Sequence, residues 1–207
     1  LKIGLRDFSL DADLFDTFRD LSNLADVYLE CALEISKNEL SRRYGAPVIH
    51  INSRKIECPV TIIALGKLGG KELDFGSDLD LVFVYEDEGM TSGVDGKNTV
   101  PNHIYFNKLY EYIYNVVSGI TETGYAYRVD LRLRPEGKKG APIISLKRFE
   151  EYFKTRAEIW ERQALVKSRI SAGDKRLGEK FIRQVEKFVY ENELKKDDIQ
   201  QIMHIRK

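Results

Sequence analysis

Two aspartates separated by one residue stand at the start of an apolar run, shortly after a glycine-rich turn. Asp78 and Asp80 flank the first residue of the run Leu79–Tyr85, and the turn contains Gly66, Gly69 and Gly70. In a β-strand alternate side chains point to one face, so the two carboxylates project together, with Cα atoms about 6.5 Å apart. Carboxylates at that separation share hard cations, and glycines let backbone N–H groups approach an anion. The segment therefore predicts a site for divalent cations and a triphosphate.

Aspartate pairs of this form are usually solvated surface charges. Here the neighbours of the pair, among them Phe83 and Val84, predict a buried strand. Fully buried acids are rare unless they are paired or bind a metal. The glycine turn upstream further favours the metal-site interpretation over the surface one.

Asp130 is the third candidate acid. The segment Tyr127–Arg134 alternates strictly, and its polar face carries Arg128, Asp130, Arg132 and Arg134. A ladder of ion pairs along one strand is the simpler interpretation. A third carboxylate would instead complete a two-metal site for an in-line displacement, the chemistry of a nucleotidyltransferase. Oxygen-only ligation predicts magnesium or manganese rather than zinc.

Basic residues lie beside both parts of the predicted site. Arg132 and Arg134 would hold phosphate oxygens through their guanidinium groups, or would pair with the aspartates, and the two roles are compatible. Lys67 and Lys71 flank the glycines and would reach a triphosphate, although a solvated lysine is the commoner outcome.

The glycine turn does not match the two common nucleotide-binding patterns. A dinucleotide-binding fingerprint requires Gly-x-Gly-x-x-Gly, and a Walker loop requires Gly-Lys-Ser/Thr after four intervening residues. The spacing of Gly66, Gly69 and Gly70 fits neither.

Composition describes an ordinary globular chain. The 207 residues include 43% hydrophobic and 32% charged residues, with 33 basic and 33 acidic side chains. This balance does not favour nucleic acid or a membrane surface as a partner, and no apolar run is long enough to span a membrane. Cys31 and Cys58 are expected to be reduced thiols, which indicates the cytoplasm. A start without methionine and an end inside a helical pattern indicate a piece of a longer protein.

Periodicity predicts the elements that would position these residues. The expected helices cover residues 13–43, 102–120 (capped by Asn102), 145–155 (capped by Ser145), 158–169 and 175–190 (capped by Asp174). The expected strands are 60–65, 79–85, 127–134 and a short one at 143–144, with a loop over 86–101. Trp160 is expected in the core.

These elements predict an α+β fold with a small mixed sheet that carries the three acids. A long N-terminal helix and C-terminal helices would flank the sheet. Residues 1–174 would form the catalytic domain, and residues 175–207 a helical extension leading into a following helical domain.

Three motifs in the expected order resemble the glutamine synthetase adenylyltransferase (glutamate–ammonia ligase adenylyltransferase) family. They are the glycine turn Gly66–Leu73 with Ser77–Leu81, the segment Tyr127–Gly137, and Trp160–Arg169. The resemblance covers nearly the whole chain. It extends to the polymerase-β-like nucleotidyltransferases, and it implies that fold.

The resemblance also implies site roles. Asp78, Asp80 and Asp130 match the three metal-binding, catalytic acids. The nucleotide- and phosphate-binding set would be Gly66, Lys67, Gly69, Gly70, Ser77, Arg132 and Arg134. Lys67 stands where the wider superfamily has a serine, so the phosphate contact at this position differs.

The implied activity is transfer of AMP from ATP to a tyrosine of glutamine synthetase, with Mg²⁺ or Mn²⁺ and under control of the PII signalling protein. The family protein carries two related domains, and the second removes AMP by phosphorolysis to give ADP. Trp160–Leu165 and Ser171–Asp174 resemble the adenylylating copy, whereas Tyr127–Asp130 and residues 86–93 resemble the removing copy. The first resemblance is given more weight. A module that only senses nucleotide is a third alternative.

Overall fold

The computed structural model describes residues 2–9, 13–122, 124–191 and 196–205. The helices are α1 (Lys2–Ser9), α2 (Leu14–Tyr44), α3 (Gly66–Gly69), α4 (Asn102–Ser118), α5 (Leu146–Thr155), α6 (Ile159–Ala164), α7 (Lys175–Glu186) and α8 (Lys196–Ile205). The strands are β1 (Pro47–Ile51), β2 (Arg54–Glu57), β3 (Val60–Ala64), β4 (Leu79–Tyr85), β5 (Met90–Thr91), β6 (Val129–Asp130), β7 (Ile143–Ser145) and β8 (Arg169–Gly173). Among these residues, no helix combines the length and the apolar character that a membrane span requires.

Strand β4 is the centre of a five-stranded mixed sheet. It pairs antiparallel with β3, which pairs antiparallel with β8 on its other edge. On the opposite edge β4 pairs in parallel with β6 at its start and with β7 at its end. A second sheet of three antiparallel strands has the order β2-β1-β5. The mixed sheet with flanking helices confirms the α+β prediction.

The two faces of the sheet have separate cores. Leu81 and Phe83 of β4 pack with residues of α2 and α4, whereas Val82 and Val84 pack with α5 and α7. Because side chains alternate along a strand, Asp80 shares the face of Val82 and Val84. Strand β4 is therefore anchored on both sides by apolar packing, which at its acidic end includes the fully buried Leu79 between the two aspartates.

Local sequence signals account for several elements. Asp13 caps α2 by accepting a hydrogen bond from the Phe15 N–H at 2.9 Å, and Gly45 ends the helix with a φ of +68°. Ser145 and Asp174 cap α5 and α7 as predicted. The strand Leu79–Tyr85 has the predicted bounds, and Cys31 and Cys58 are free thiols.

The predicted strand 127–134 is wrong on both sides of Val129–Asp130. Only Val129 and Asp130 pair with the sheet. The Asp130 carboxylate accepts a hydrogen bond from the Arg132 N–H at 2.8 Å, and the Arg134 N–H donates to the Leu131 carbonyl at 3.1 Å. These local bonds form a turn, because an aspartate side chain competes with a neighbouring strand for backbone donors.

The predicted cap at Asn102 is also wrong. Pro101 occupies the cap position of α4, and Asn102 is the first helical residue. The buried Asn102 side chain donates to the carbonyl of Val48 at 3.1 Å and to that of Asp87 at 3.3 Å. Asn102 therefore joins strand β1 and the loop after β4 to the helix instead of capping it.

The predicted helix 158–169 ends too late. Helix α6 stops at Ala164, a 3₁₀ turn follows over Leu165–Lys167, and Arg169 begins β8 by pairing with Ala64. Trp160 is only half-buried, and its Nε1 donates to Glu158 at 2.8 Å. Parts of the predicted C-terminal helical extension, at residues 192–195 and 206–207, lie outside the described residues.

Candidate active site

The three candidate acids converge at the start of β4. Asp80 lies directly opposite Asp130 across the parallel pair β4–β6, and Asp78 lies just before β4. Adjacent strands are about 4.8 Å apart, so side chains on one face at opposing positions come close together. The Leu79 N–H donates to the Arg128 carbonyl at 2.8 Å, which fixes this register.

Asp80 is the acid with the most unfavourable environment. Burial raises the pKa of its carboxyl group, and the charges of Asp130 and Asp78 raise it further, while Arg132 opposes the shift. Within the described part of the chain, no hydrogen bond to the Asp80 carboxylate contributes to this pKa shift. A partly buried carboxylate that faces two others is a position where a cation would relieve repulsion.

Two arginines form ion pairs with the carboxylates of Asp78 and Asp130. Arg128 Nε donates to Asp78 Oδ1 at 2.7 Å, and Arg132 Nε donates to Asp130 Oδ2 at 2.7 Å. Hydrogen bonding to Asp130 raises the pKa of Arg132 above its ordinary value. Both guanidinium groups are largely exposed, so they lie at the mouth of the site.

The glycine turn packs directly on Asp80. Gly66 has a φ of +53°, and a Cβ atom there would lie 2.4 Å from Oδ2 of Asp80. The Leu65 N–H also donates to the Asp80 carbonyl at 2.9 Å. A side chain at position 66 would thus displace the carboxylate, which gives the glycine a steric reason as well as a conformational one.

Gly69 and Gly70 have a different role in the structure. A Cβ on Gly69 would lie 2.1 Å from the Lys167 carbonyl, and one on Gly70 would lie 3.1 Å from the Lys167 side chain. The absence of side chains there allows the turn to pack against the segment before β8. Their predicted phosphate contact stays a prediction.

The two lysines of the turn are both engaged. Lys67 Nζ donates to Asp74 Oδ2 at 2.8 Å and to Ser77 Oγ at 3.4 Å, and Ser77 in turn donates to Asp74. Lys67, Asp74 and Ser77 therefore form one hydrogen-bonded cluster at the rim of the site, and Ser77 directly precedes Asp78 in the sequence. Lys71 Nζ instead bonds to Asn23 and Asp26 of α2, each at 2.6 Å.

Arg134 donates its printed hydrogen bonds within the loop that follows β6, and its charge still interacts with that of Asp130. Its Nη2 and Nε donate to the Gly140 carbonyl at 2.9 and 3.1 Å, and its Nη1 donates to the Leu131 carbonyl. Burial lowers the pKa of the Arg134 guanidinium. It lines a separate cleft of about 390 Å³, together with Tyr152.

Beside Asp78 and Asp130 lies a groove of about 490 Å³ that sequence reasoning did not predict. Its other walls include Tyr114, Tyr125 and Arg128. The alternation of residues 127–134 had placed Arg128 on the polar face, which was the available signal for it. Tyr114 and Tyr125 come from a helix and a loop without any local pattern.

The donor set fits a hard divalent cation in its chemistry. Three carboxylates supply oxygen ligands of the kind that magnesium and manganese prefer. In this structure Arg128 pairs with Asp78 and Arg132 pairs with Asp130. Among the described residues, no group of three acidic, histidine or cysteine side chains is arranged as a set of metal ligands. The repulsion around Asp80 is the observation that a cation at this position would explain.

Comparison with known proteins decides the family. The family model for glutamate-ammonia ligase adenylyltransferase matches residues 1–184. The chain belongs to the glutamate–ammonia ligase adenylyltransferase family.

The chain is similar to several bacterial relatives in this family. Each is named bifunctional glutamine synthetase adenylyltransferase/adenylyl-removing enzyme. The relative from Thioalkalivibrio sulfidiphilus is 40% identical over 181 residues, which cover 87% of this chain and 19% of that protein. The relative from Pseudomonas aeruginosa is 35% identical over 192 residues (92% and 19%), and that from Burkholderia pseudomallei 37% over 193 residues (91% and 20%). The chain therefore spans about a fifth of the length of these adenylyltransferase-family relatives.

Proposed function

We propose that this chain is a metal-dependent nucleotidyltransferase domain that transfers AMP from ATP to a tyrosine of glutamine synthetase. The observation that carries the proposal is the opposition of Asp80 and Asp130 across β4 and β6, with Asp78 beside them and Gly66 against Asp80. Family membership supports adenylyl chemistry on glutamine synthetase, since its relatives are named for both directions of that reaction. The polymerase-β-like arrangement of the sheet, control by the PII protein and a cytoplasmic location are parts of the same proposal.

Each acid has a place in the proposed reaction. Asp78 and Asp80 would hold two Mg²⁺ or Mn²⁺ ions. Asp130 would be a further ligand of the second ion. The ions, when bound, would neutralise phosphate charge and lower the pKa of the attacking hydroxyl. Asp130 would also help to remove the proton of the tyrosine hydroxyl, whose unperturbed pKa is about 10.

The basic residues would hold the phosphates. Arg128 and Arg132 lie on the acids at the mouth of the site, from where they would move to the phosphate oxygens of a bound nucleotide. A guanidinium exchanges one oxyanion for another without a change of protonation. Lys67 and Ser77 lie together at the rim near Gly66 and would contact the triphosphate there.

Removal of AMP by phosphorolysis is the second candidate function. The pair of exposed guanidinium groups beside Asp78 and Asp130 favours it, because the nucleophile would then be inorganic phosphate, a dianion that needs cations near the acids. The attack would form a bond from phosphate oxygen to the AMP phosphorus, break the tyrosyl–phosphorus bond and release ADP. The tyrosyl oxygen would take up a proton.

One assay separates these functions. The chain is incubated with Mg²⁺ and ATP labelled in its α-phosphate together with unmodified glutamine synthetase, and in parallel with Mg²⁺, phosphate and labelled adenylylated glutamine synthetase. Label on the unmodified enzyme with release of pyrophosphate supports transfer, and labelled ADP supports removal. Binding of Mg²⁺–ATP with no turnover in either reaction contradicts both and supports a nucleotide-sensing module.

A further inference from the structure

Arg169 makes a full set of hydrogen bonds away from the three acids. Its Nη1 and Nη2 donate to the two carboxylate oxygens of Asp26 on α2 at 2.9 and 3.0 Å. Its Nη2 and Nε also donate to the carbonyls of Leu68 and Gly69 at 2.9 and 3.3 Å. One guanidinium thus joins the long helix to the last residues of α3.

The Asp26 carboxylate accepts hydrogen bonds from two parts of the chain, strand β8 and the end of the glycine turn. Besides Arg169, it accepts hydrogen bonds from Lys71 Nζ at 2.6 Å and Ser171 Oγ at 2.5 Å. Its side chain is only 17% exposed, so these charge-assisted bonds are shielded from solvent. The same carboxylate therefore fixes β8 and the end of the glycine turn relative to α2.

The turn held in this way is the one that touches Asp80. It begins at Gly66, whose α-carbon leaves no room for a Cβ beside the Asp80 carboxylate, and it ends at Lys71, which has a φ of +59°. A helix of one turn has few internal hydrogen bonds, so its position depends on outside partners. Arg169 supplies those partners for the terminal carbonyls.

We propose that Asp26 and Arg169 are positioning residues that hold the turn Gly66–Lys71 in register with Asp80. Neither residue touches the acids. Their effect on the reaction passes through the backbone of the turn. The link to nucleotide binding rests on the proposed function, whereas the link to the conformation of the turn does not.

The fork geometry of Arg169 provides the test. Arg169→Lys keeps the positive charge beside Asp26, but an ammonium group is a point donor and does not span the carboxylate and both carbonyls. We expect amide hydrogen exchange of Gly69, Gly70 and Lys71 to become at least about tenfold faster in Arg169→Lys without nucleotide. We expect the KM for Mg²⁺–ATP to rise several-fold more than kcat falls. Arg169→Gln should show the same effects, and Asp26→Asn should show them with smaller size.

Glu57→Gln is the matched control. It breaks the other ion pair that joins α2 to a strand, Lys37–Glu57 at 2.9 Å, and does not touch the turn. Its exchange rates and KM should equal those of the wild type. Exchange at the turn that is unchanged in Arg169→Lys, or raised equally in Glu57→Gln, would overturn the positioning role. Absence of Mg²⁺–ATP binding in the wild type would contradict the proposed function alone, because the exchange measurement is made without nucleotide.

Discussion

Asp80 and Asp130 face each other across two parallel strands, and the charge of Asp130 raises the pKa of Asp80. Parallel pairing of a two-residue strand with the start of β4 brings together acids that are 50 residues apart in the sequence. The arrangement costs stability in the free protein, since burial and like charge both oppose ionisation. Such a cost is expected at a site whose charge is used on a ligand.

Asp80→Asn should separate the activity of the site from its stability. The amide is nearly isosteric and uncharged, so it removes the repulsion from Asp78 and Asp130. We expect adenylyl transfer to fall by more than about 100-fold, and the melting temperature at pH 7 to rise by about 2–4 °C. Calorimetry and the labelled-ATP assay measure the two effects. A variant that melts lower than the wild type and keeps full activity would contradict the assignment.

The repulsion at Asp80 predicts a pH dependence of stability. Its pKa in the folded protein lies above the ordinary value of 3.8, so the folded state binds the proton more tightly than the unfolded chain does. Stability should therefore fall as pH rises through the window between the two values, and the loss should stay constant above it. The melting-temperature difference between Asp80→Asn and the wild type, measured in EDTA, should grow from about pH 4 upward and then level off. A difference that shrinks with rising pH would show the opposite sign of the shift.

Sequence reasoning succeeded where the determining interactions are local. The apolar run Leu79–Tyr85 predicts β4 with its bounds, and the 3.6-residue period of residues 13–43 predicts α2. The strand period alone is enough to place Asp78 and Asp80 on one face. Ser145 and Asp174 likewise act on backbone N–H groups only three residues away.

The parts of the fold and the site that the sequence did not predict depend on distant partners or on competition between side chains and backbone for hydrogen bonds. The Asp130 carboxylate accepts a hydrogen bond from the Arg132 N–H where the strand ends, and the Arg134 side chain donates to the Gly140 carbonyl of the following loop. Lys71 bonds to residues of α2 that lie 45 and 48 positions earlier in the sequence. No local pattern distinguishes a lysine held in this way from one that awaits a phosphate.

Gly66→Ala should disturb the site more than its backbone conformation alone explains. The new Cβ would meet Oδ2 of Asp80 at 2.4 Å, and it would also strain a φ of +53°. We expect a loss of about 1–3 kcal/mol in the free energy of unfolding, with loss of Mn²⁺ binding measured by titration. Gly96→Ala is the matched control, because its φ is +72° but nothing lies within 4 Å of the new Cβ. Gly96→Ala should lose about 1 kcal/mol and bind Mn²⁺ as the wild type does.

Arg128→Gln should affect cation binding and turnover in opposite directions. The guanidinium now occupies Asp78 at 2.7 Å, so its removal frees an oxygen ligand. We expect the affinity for Mn²⁺ without nucleotide to rise roughly threefold, as befits an exposed ion pair, while kcat with Mg²⁺–ATP falls. Arg19→Gln, which removes a pair with Asp16 on α2, should change neither quantity. Weaker Mn²⁺ binding in Arg128→Gln would show that the arginine does not compete with the cation.

The motif Trp160–Arg169 contains one acid whose role is structural. Glu161 is 1% exposed, accepts a hydrogen bond from the Tyr152 hydroxyl at 2.9 Å, and caps α6 through the Glu158 N–H at 2.8 Å. Burial raises the pKa of its carboxyl group, although these hydrogen bonds oppose the shift. Glu161→Ala leaves two partly buried donors, the Tyr152 hydroxyl and the Glu158 N–H, without this acceptor, so we expect a loss of about 2–4 kcal/mol in the free energy of unfolding by urea titration.

The activity of Glu161→Ala should be unchanged at temperatures where the variant is folded. Glu161 belongs to α6 and bonds to Tyr152 of α5, and it is not one of the three acids of the site. Glu161→Gln keeps an acceptor oxygen and should recover most of the stability. Glu150→Ala, which removes the exposed pair with Lys154 and a long hydrogen bond from Gln184 Nε2 at 3.5 Å, should lose no more than about 0.5 kcal/mol. If Glu161→Gln were as unstable as Glu161→Ala and also inactive while folded, the carboxylate itself would have to act in the reaction, and the structural explanation of this motif would be wrong.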